Sequence, residues 1–185
     1  MQHKSIVESE VFSFRWYGVV GTVIISLFGS MFHFAYQWSG CNIFVGSFVA
    51  VNESVFEHLK ILTLPILLFW LLDGLAYGNV SEHTVAAAAA VYCGVAFLVV
   101  VYTITTIASG YESLWFDILL FVASAFVSQC AGWYCVKQKY TCTVTWSACL
   151  VGCAVFCHIF FTDHPPELPV IFQDPKKFYG RPAEC

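Results

Sequence analysis

The sequence predicts an all-α integral membrane protein, a helical bundle of about five transmembrane helices, and three observations carry that prediction. Hydrophobic residues make up 59% of the 185 residues and charged residues only 11%, against roughly 25% charged in soluble domains; mean hydropathy is +0.74. Five stretches are long enough to cross a core of roughly 30 Å at about 1.5 Å per residue. Within them only Lys60, Asp73 and Asp117 are formally charged, so the other charges fall where a bilayer would not cover them. Each stretch runs to about 20 residues, twice the length of a barrel strand, with no inside-outside alternation, so the spans are helices.

The first span, Trp16 to Trp38, follows Lys4 and Arg15 as a signal peptide would. It is too long for one and lacks a small-residue cleavage site at a sensible distance, so it is expected to be retained. Glu8 and Glu10 count against a mitochondrial presequence, which is poor in acids. The connection from Ser39 to Asn52 is less apolar and holds Gly40 and Gly46, which predicts a surface or shallow re-entrant loop. Asn52 or Ser54 can then cap a helix, with Glu57 completing a capping box after Ser54. The second helix is therefore expected to begin near Glu53, ahead of its span from Leu59 to Tyr77.

The remaining spans are Thr84 to Ala108, Leu114 to Val136 and Cys142 to Thr162. Short links between them force up-down neighbours. The run Ala86 to Ala90 reads as a close-packing stripe. Beyond Thr162, five prolines (Pro165, Pro166, Pro169, Pro175 and Pro182) predict an extended tail rather than a sixth helix. The domain plan is an amino-terminal segment 1–15, a membrane domain 16–162 and a Pro-rich tail 163–185.

Five spans put the termini on opposite sides. One face collects Lys4, Arg15, Lys137 and Lys139; the other collects the 39–60 segment, Glu112 and the tail, and is rich in acids. The basic tail residues lie far from the last span, so the positive-inside rule leans towards a cytoplasmic amino terminus. A net charge of −4 without a basic cluster excludes nucleic acid as a partner. The expected partners are the lipid bilayer and a lipid or small-molecule substrate.

Four ionisable residues on different helices fall at one depth near the acidic face: His33, Glu57, Asp117 and His158. Such a polar layer is how a bundle builds a site. Two imidazoles and carboxylates suit a divalent metal such as Zn²⁺, which predicts His33, Glu57 and His158 as metal ligands and Asp117 and Glu53 as catalytic carboxylates. Glu53 and Glu57, four apart, would share a helical face, with His58 about 100° away. The same string also reads as a helix start whose acids complement the macrodipole, Glu57 pairing with Lys60. Asp73 lies near the opposite face and is kept out of the site, and His83 reads as interfacial. His164 in the tail reads as solvated.

The nine cysteines contain no CxxC pair, so structural zinc is not indicated. Cys149, Cys153 and Cys157 recur every fourth residue, a packing stripe, while Cys41 and Cys185 lie where an oxidising compartment could pair them.

The strings HFAYQWSG (33–40), NESVFEHLK (52–60), the Asp117 helix with Gln129, and FTDHPPELPVIFQDPKKFYG (161–180) resemble a family of small, largely bacterial multi-pass membrane proteins of unknown function. Its members often carry Trp at the place of Phe56, an aromatic near Asp163 and fewer cysteines; the second departure weakens Asp163 as a site residue. The resemblance implies a membrane site without naming its chemistry.

Three functions fit these residues. One is a metal-dependent intramembrane or interfacial hydrolase, although HExxH, GxSxG and phosphate loops are absent. The second is a small cation or proton carrier, without the inverted repeat of known transporters. The third is a non-catalytic accessory subunit. The tail, with Ile171, Phe172, Phe178 and Tyr179 as apolar anchors, is expected to lie across the mouth of the bundle.

Overall fold

The computed structural model describes residues 14–110, 113–141 and 143–182, with backbone alone at 107 and 170. Among them, five helices are long and apolar enough to cross a membrane: α1 (Arg15–Trp38), α3 (Val55–Tyr77), α4 (Val80–Thr106), α5 (Leu114–Lys137) and α6 (Val144–Asp163). Two short helices, α2 (Ile43–Gly46) and α7 (Pro169–Phe172), lie in the loop after α1 and in the tail. The expected segment 1–15 and Cys185 fall, in all but Phe14 and Arg15, outside the described residues.

Local chemistry sets the helix ends. Ser54 caps α3, its hydroxyl accepting the Glu57 N–H at 3.4 Å. The reciprocal half of a capping box is absent, because Asn52 Oδ1 takes the Ser54 N–H at 2.8 Å. At the other end, left-handed Gly78 (φ 72°) closes α3, the conformation glycine adopts without a Cβ penalty. Helix α4 resumes at Val80 rather than Thr84, so Glu82 and His83 are helical. Glu82 there complements the positive end of the helix dipole.

Helix α4 is the centre of the bundle, packing on α3, α5 and α6, while α1 covers α3 and α5. The alanine run makes the closest part of this contact: Ala86 and Ala90 are fully buried. One turn further on, a Cβ built on Gly94 would come within 1.8 Å of Ser128 Oγ of α5, so only glycine lets these two backbones approach so far. Ile25, Leu62, Ile66, Trp70 and Ala125 complete the core. Pro65 lies inside α3 and removes the N–H that would serve the Ile61 carbonyl. Gly29 of α1 lies against that freed oxygen, near enough that a Cβ would sit 2.9 Å from it.

The outer surface carries Leu27, Leu72, Leu119, Trp146 and Phe156, all exposed. In a bilayer such residues face solvent of their own kind. Helix α6 is the most peripheral span, and its Cys149 and Cys153 are exposed. The stripe expected to pack therefore faces outward.

The tail is docked. Phe172 stacks on Phe56 of α3, ring centroids 4.6 Å apart, and meets Phe161 of α6 edge-on. Gln173 and Tyr179 form an antiparallel bridge, closing a turn in which the Asp174 N–H donates to Phe178 O at 2.9 Å. Arg181 reaches Asp163 at the end of α6 (Nε to Oδ1, 2.6 Å) and Ser47 after α2 (3.3 Å). Its guanidinium loses hydration by burial, but the Asp163 carboxylate beside it holds the proton more firmly still. Cys41 is disulfide-bonded.

Candidate metal centre

Three donors converge where α1 ends and α3 begins. His33 is on α1, one turn and a half before its last residue, and His58 is in the first turn of α3. Glu53 stands just before the cap, outside any helix. Its carboxylate lies between the imidazoles, 3.7 Å from His33 Nε2 and 3.5 Å from His58 Nε2. The two rings are 5.2 Å apart between centroids. One donor atom from each residue falls within 4.8 Å of the others.

This arrangement fits a small divalent ion. Zn–N bonds of about 2.0–2.1 Å and Zn–O bonds of about 2.0–2.2 Å at tetrahedral angles place neighbouring ligand atoms about 3.4 Å apart. The observed separations are slightly larger, too long for direct hydrogen bonds. His58 is also set up as a ligand: its Nδ1 lies 2.9 Å from the Ser54 carbonyl. A carbonyl only accepts, so Nδ1 carries a proton and Nε2 is the nitrogen turned to Glu53, the orientation metal-ligating histidines adopt. The trio is half-open to the surface, Glu53 being 57% and His58 34% exposed in their side chains.

Why Glu53 turns to the histidines follows from the cap. The spacing between Glu53 and Glu57 predicted a shared helical face, but helical geometry begins only after Ser54. Glu53 is therefore free of the 100° rule that would separate it from His58.

Glu57 is engaged elsewhere. Its carboxylate is 2% exposed and lies 2.5 Å from the Lys60 ammonium, itself 1% exposed. Val51 N–H donates to Glu57 Oε2 at 3.0 Å, and Thr162 Oγ1 lies 3.3 Å from Oε1. Lys60 donates further to the Gly46 carbonyl (3.0 Å) and to Thr162 (2.8 Å). All three ammonium protons have acceptors, so the pair joins α3 to the loop after α1 and to α6 with its charges neutralised. His158, on α6, lies 3.2 Å from Thr63 Oγ1 and against the Phe56 ring. Asp117 is exposed in the first turn of α5, where the helix dipole favours a carboxylate. Of the expected donors, His33 and Glu53 come together, and His58 joins them.

A second buried cluster lies where α1, α3 and α4 meet. Asp73 Oδ2 accepts the Tyr17 hydroxyl at 2.9 Å and lies 2.9 Å from His83 Nε2. The other nitrogen, Nδ1, donates to the Asn79 carbonyl at 2.8 Å. His83 is 4% exposed, so the residue expected at the interface is buried by partners across a two-residue link. Asp73 and His83, ten apart across the Gly78 turn, were the legible sign of this contact.

The chain belongs to a family whose activity is not assigned: the model described as "Family of unknown function (DUF6512)" matches residues 1–181. No curated protein and no solved structure matches it.

Proposed function

We propose that this member of a family without assigned activity is a metal-dependent hydrolase working at a membrane interface, with His33, Glu53 and His58 holding one divalent ion. The observation that carries the reading is the convergence of two imidazoles and one carboxylate within 4.8 Å. That ligand set, half-open to the surface, is the kind found in catalytic zinc sites, which keep a coordination position free, whereas structural zinc sites are closed. Two nitrogen donors favour Zn²⁺ over Ca²⁺ or Mg²⁺, which take oxygen ligands. A bound ion supplies a Lewis acid with an open position. The chain's own residues hold it, orient the His58 ring through the Ser54 carbonyl, and open the site towards the headgroup region, where a lipid or small-molecule substrate would arrive. Nothing in the Glu57 and Lys60 pair is left over for chemistry, which supports an anchoring role for it. The disulfide at Cys41 supports an oxidising compartment on this face, and five spans then leave the amino terminus cytoplasmic.

The test is elemental analysis of the purified full chain after Zn²⁺ loading and desalting, beside a screen of lipid ester and phosphodiester hydrolysis. One equivalent of zinc, lost in His33→Ala/His58→Ala and held more weakly in Glu53→Ala, with hydrolysis lost in both, is the expected result. Zinc retained by the double variant would overturn the site. Zinc bound at one equivalent with no turnover on any interfacial substrate would overturn the hydrolase and leave a cation-binding protein.

A further inference from the structure

We infer that Asp174, in the docked tail, is a positioning residue for the metal centre: it holds the backbone of Glu53 so that the carboxylate meets both histidines. This rests on the metal reading above. Glu53 is the one ligand of the three that no helix fixes, and left to itself a non-helical residue spends conformational entropy on being placed. The tail supplies what a helix would. Asp174 Oδ2 accepts the Glu53 N–H at 2.8 Å across 121 positions of sequence. Its other oxygen accepts the Lys176 N–H at 2.7 Å, and its own carbonyl accepts the Lys177 N–H at 2.7 Å. With Asp174 itself 4% exposed, the acceptor that grips Glu53 is built into a closed turn.

The neighbouring residue is held by the same segment. Asn52 Nδ2 donates to the Gly180 carbonyl at 2.7 Å while its Oδ1 takes the Ser54 N–H. Glu53 therefore sits between two attachments, Asn52 to Gly180 and its own N–H to Asp174. Phe172 on Phe56 and Arg181 on Asp163 seat the segment that carries them. Groups that orient a metal ligand without touching the metal change affinity about 10- to 100-fold when removed.

Zn²⁺ affinity of the detergent-solubilised full chain, measured by competition with a chromophoric chelator, tests this. Asp174→Ala should bind Zn²⁺ about 10- to 100-fold more weakly than the unaltered chain, and Asp174→Asn, which keeps one of the two accepting oxygens, should lose less. Lys176→Ala, exposed in the same turn and retaining its backbone N–H, should not. Because Asp174 acts through Glu53, adding Asp174→Ala to Glu53→Ala should cause no further loss, a result that general loosening of the fold would not give. An unaltered chain that binds one equivalent beside Asp174→Ala within twofold of it overturns the positioning role and spares the metal centre. An equal loss on the Glu53→Ala background does the same. Failure of the unaltered chain to bind Zn²⁺ overturns both.

Discussion

Replacing Lys60 by Met should be among the most destabilising single changes in the bundle. The methionine is similar in length, so the lost interaction is electrostatic rather than steric. It removes three donations, to Glu57, the Gly46 carbonyl and Thr162, and leaves the Glu57 carboxylate, 2% exposed, with the Val51 N–H and the Thr162 hydroxyl alone. Hydrogen bonds to charged groups contribute about 1.5–3 kcal/mol each, and breaking a buried pair by removing one partner costs about 3–5 kcal/mol. The second figure is preferred, since it already includes the stranded charge. Glu57→Gln/Lys60→Met removes that stranded charge while keeping an acceptor for Val51 N–H, so it should recover at least about half of the loss. Equilibrium unfolding in nanodiscs, run as a double-mutant cycle, measures both. A Lys60→Met cost below about 1 kcal/mol, or a double variant whose loss is the sum of the singles, would refute the claim that the pair is a sealed anchor. Zinc stoichiometry of the folded fraction should stay unchanged throughout, because neither residue is among the three converging donors.

Tyr17→Phe deletes one donor to buried Asp73 and should cost about 1–3 kcal/mol without changing Zn²⁺ affinity, as unfolding and chelator competition would show together. Gly94→Val puts a branched side chain where a Cβ already lies 1.8 Å from Ser128 Oγ. Overpacking of this kind costs about 1–3 kcal/mol, and pairing it with Ser128→Gly should recover part of the loss in the same unfolding measurement.

Long apolar runs are read well from sequence because each must span the bilayer alone. Hydropathy therefore brought α1 and α5 within a residue of their observed ends, Arg15–Trp38 and Leu114–Lys137. It began the third span at Thr84, a turn after α4 starts at Val80, whereas the capping signal placed the start of α3 near Glu53, close to the observed Val55; the first turns of these helices run from Val55 to His58 and from Val80 to His83. Those turns hold the partners that matter. His58 was set aside by a helical-wheel argument valid only for two helical residues, whereas Glu53 precedes the cap. Asp117, expected in one layer with His33, Glu57 and His158, lies in the first turn of α5 and is exposed, where the helix dipole favours its charge. The tail contacts join residues more than a hundred positions apart, and no periodicity carries that information.

What distinguishes the candidate centre from the Glu57–Lys60 pair and the Asp73 cluster is satisfaction. Lys60 finds three acceptors, Glu57 a cation and two further donors, and His83 an acceptor at each nitrogen. Such saturated groups can remain in an apolar interior because little electrostatic potential is left uncompensated. The trio is different. Glu53 receives no direct side-chain bond from either imidazole, since 3.5 and 3.7 Å are beyond hydrogen-bond length. A divalent cation among the three donors would supply the direct contacts that these side chains lack. A docked tail and a buried aspartate hold this incompletely bonded arrangement in place, the pre-organisation a binding site needs and a packing contact does not.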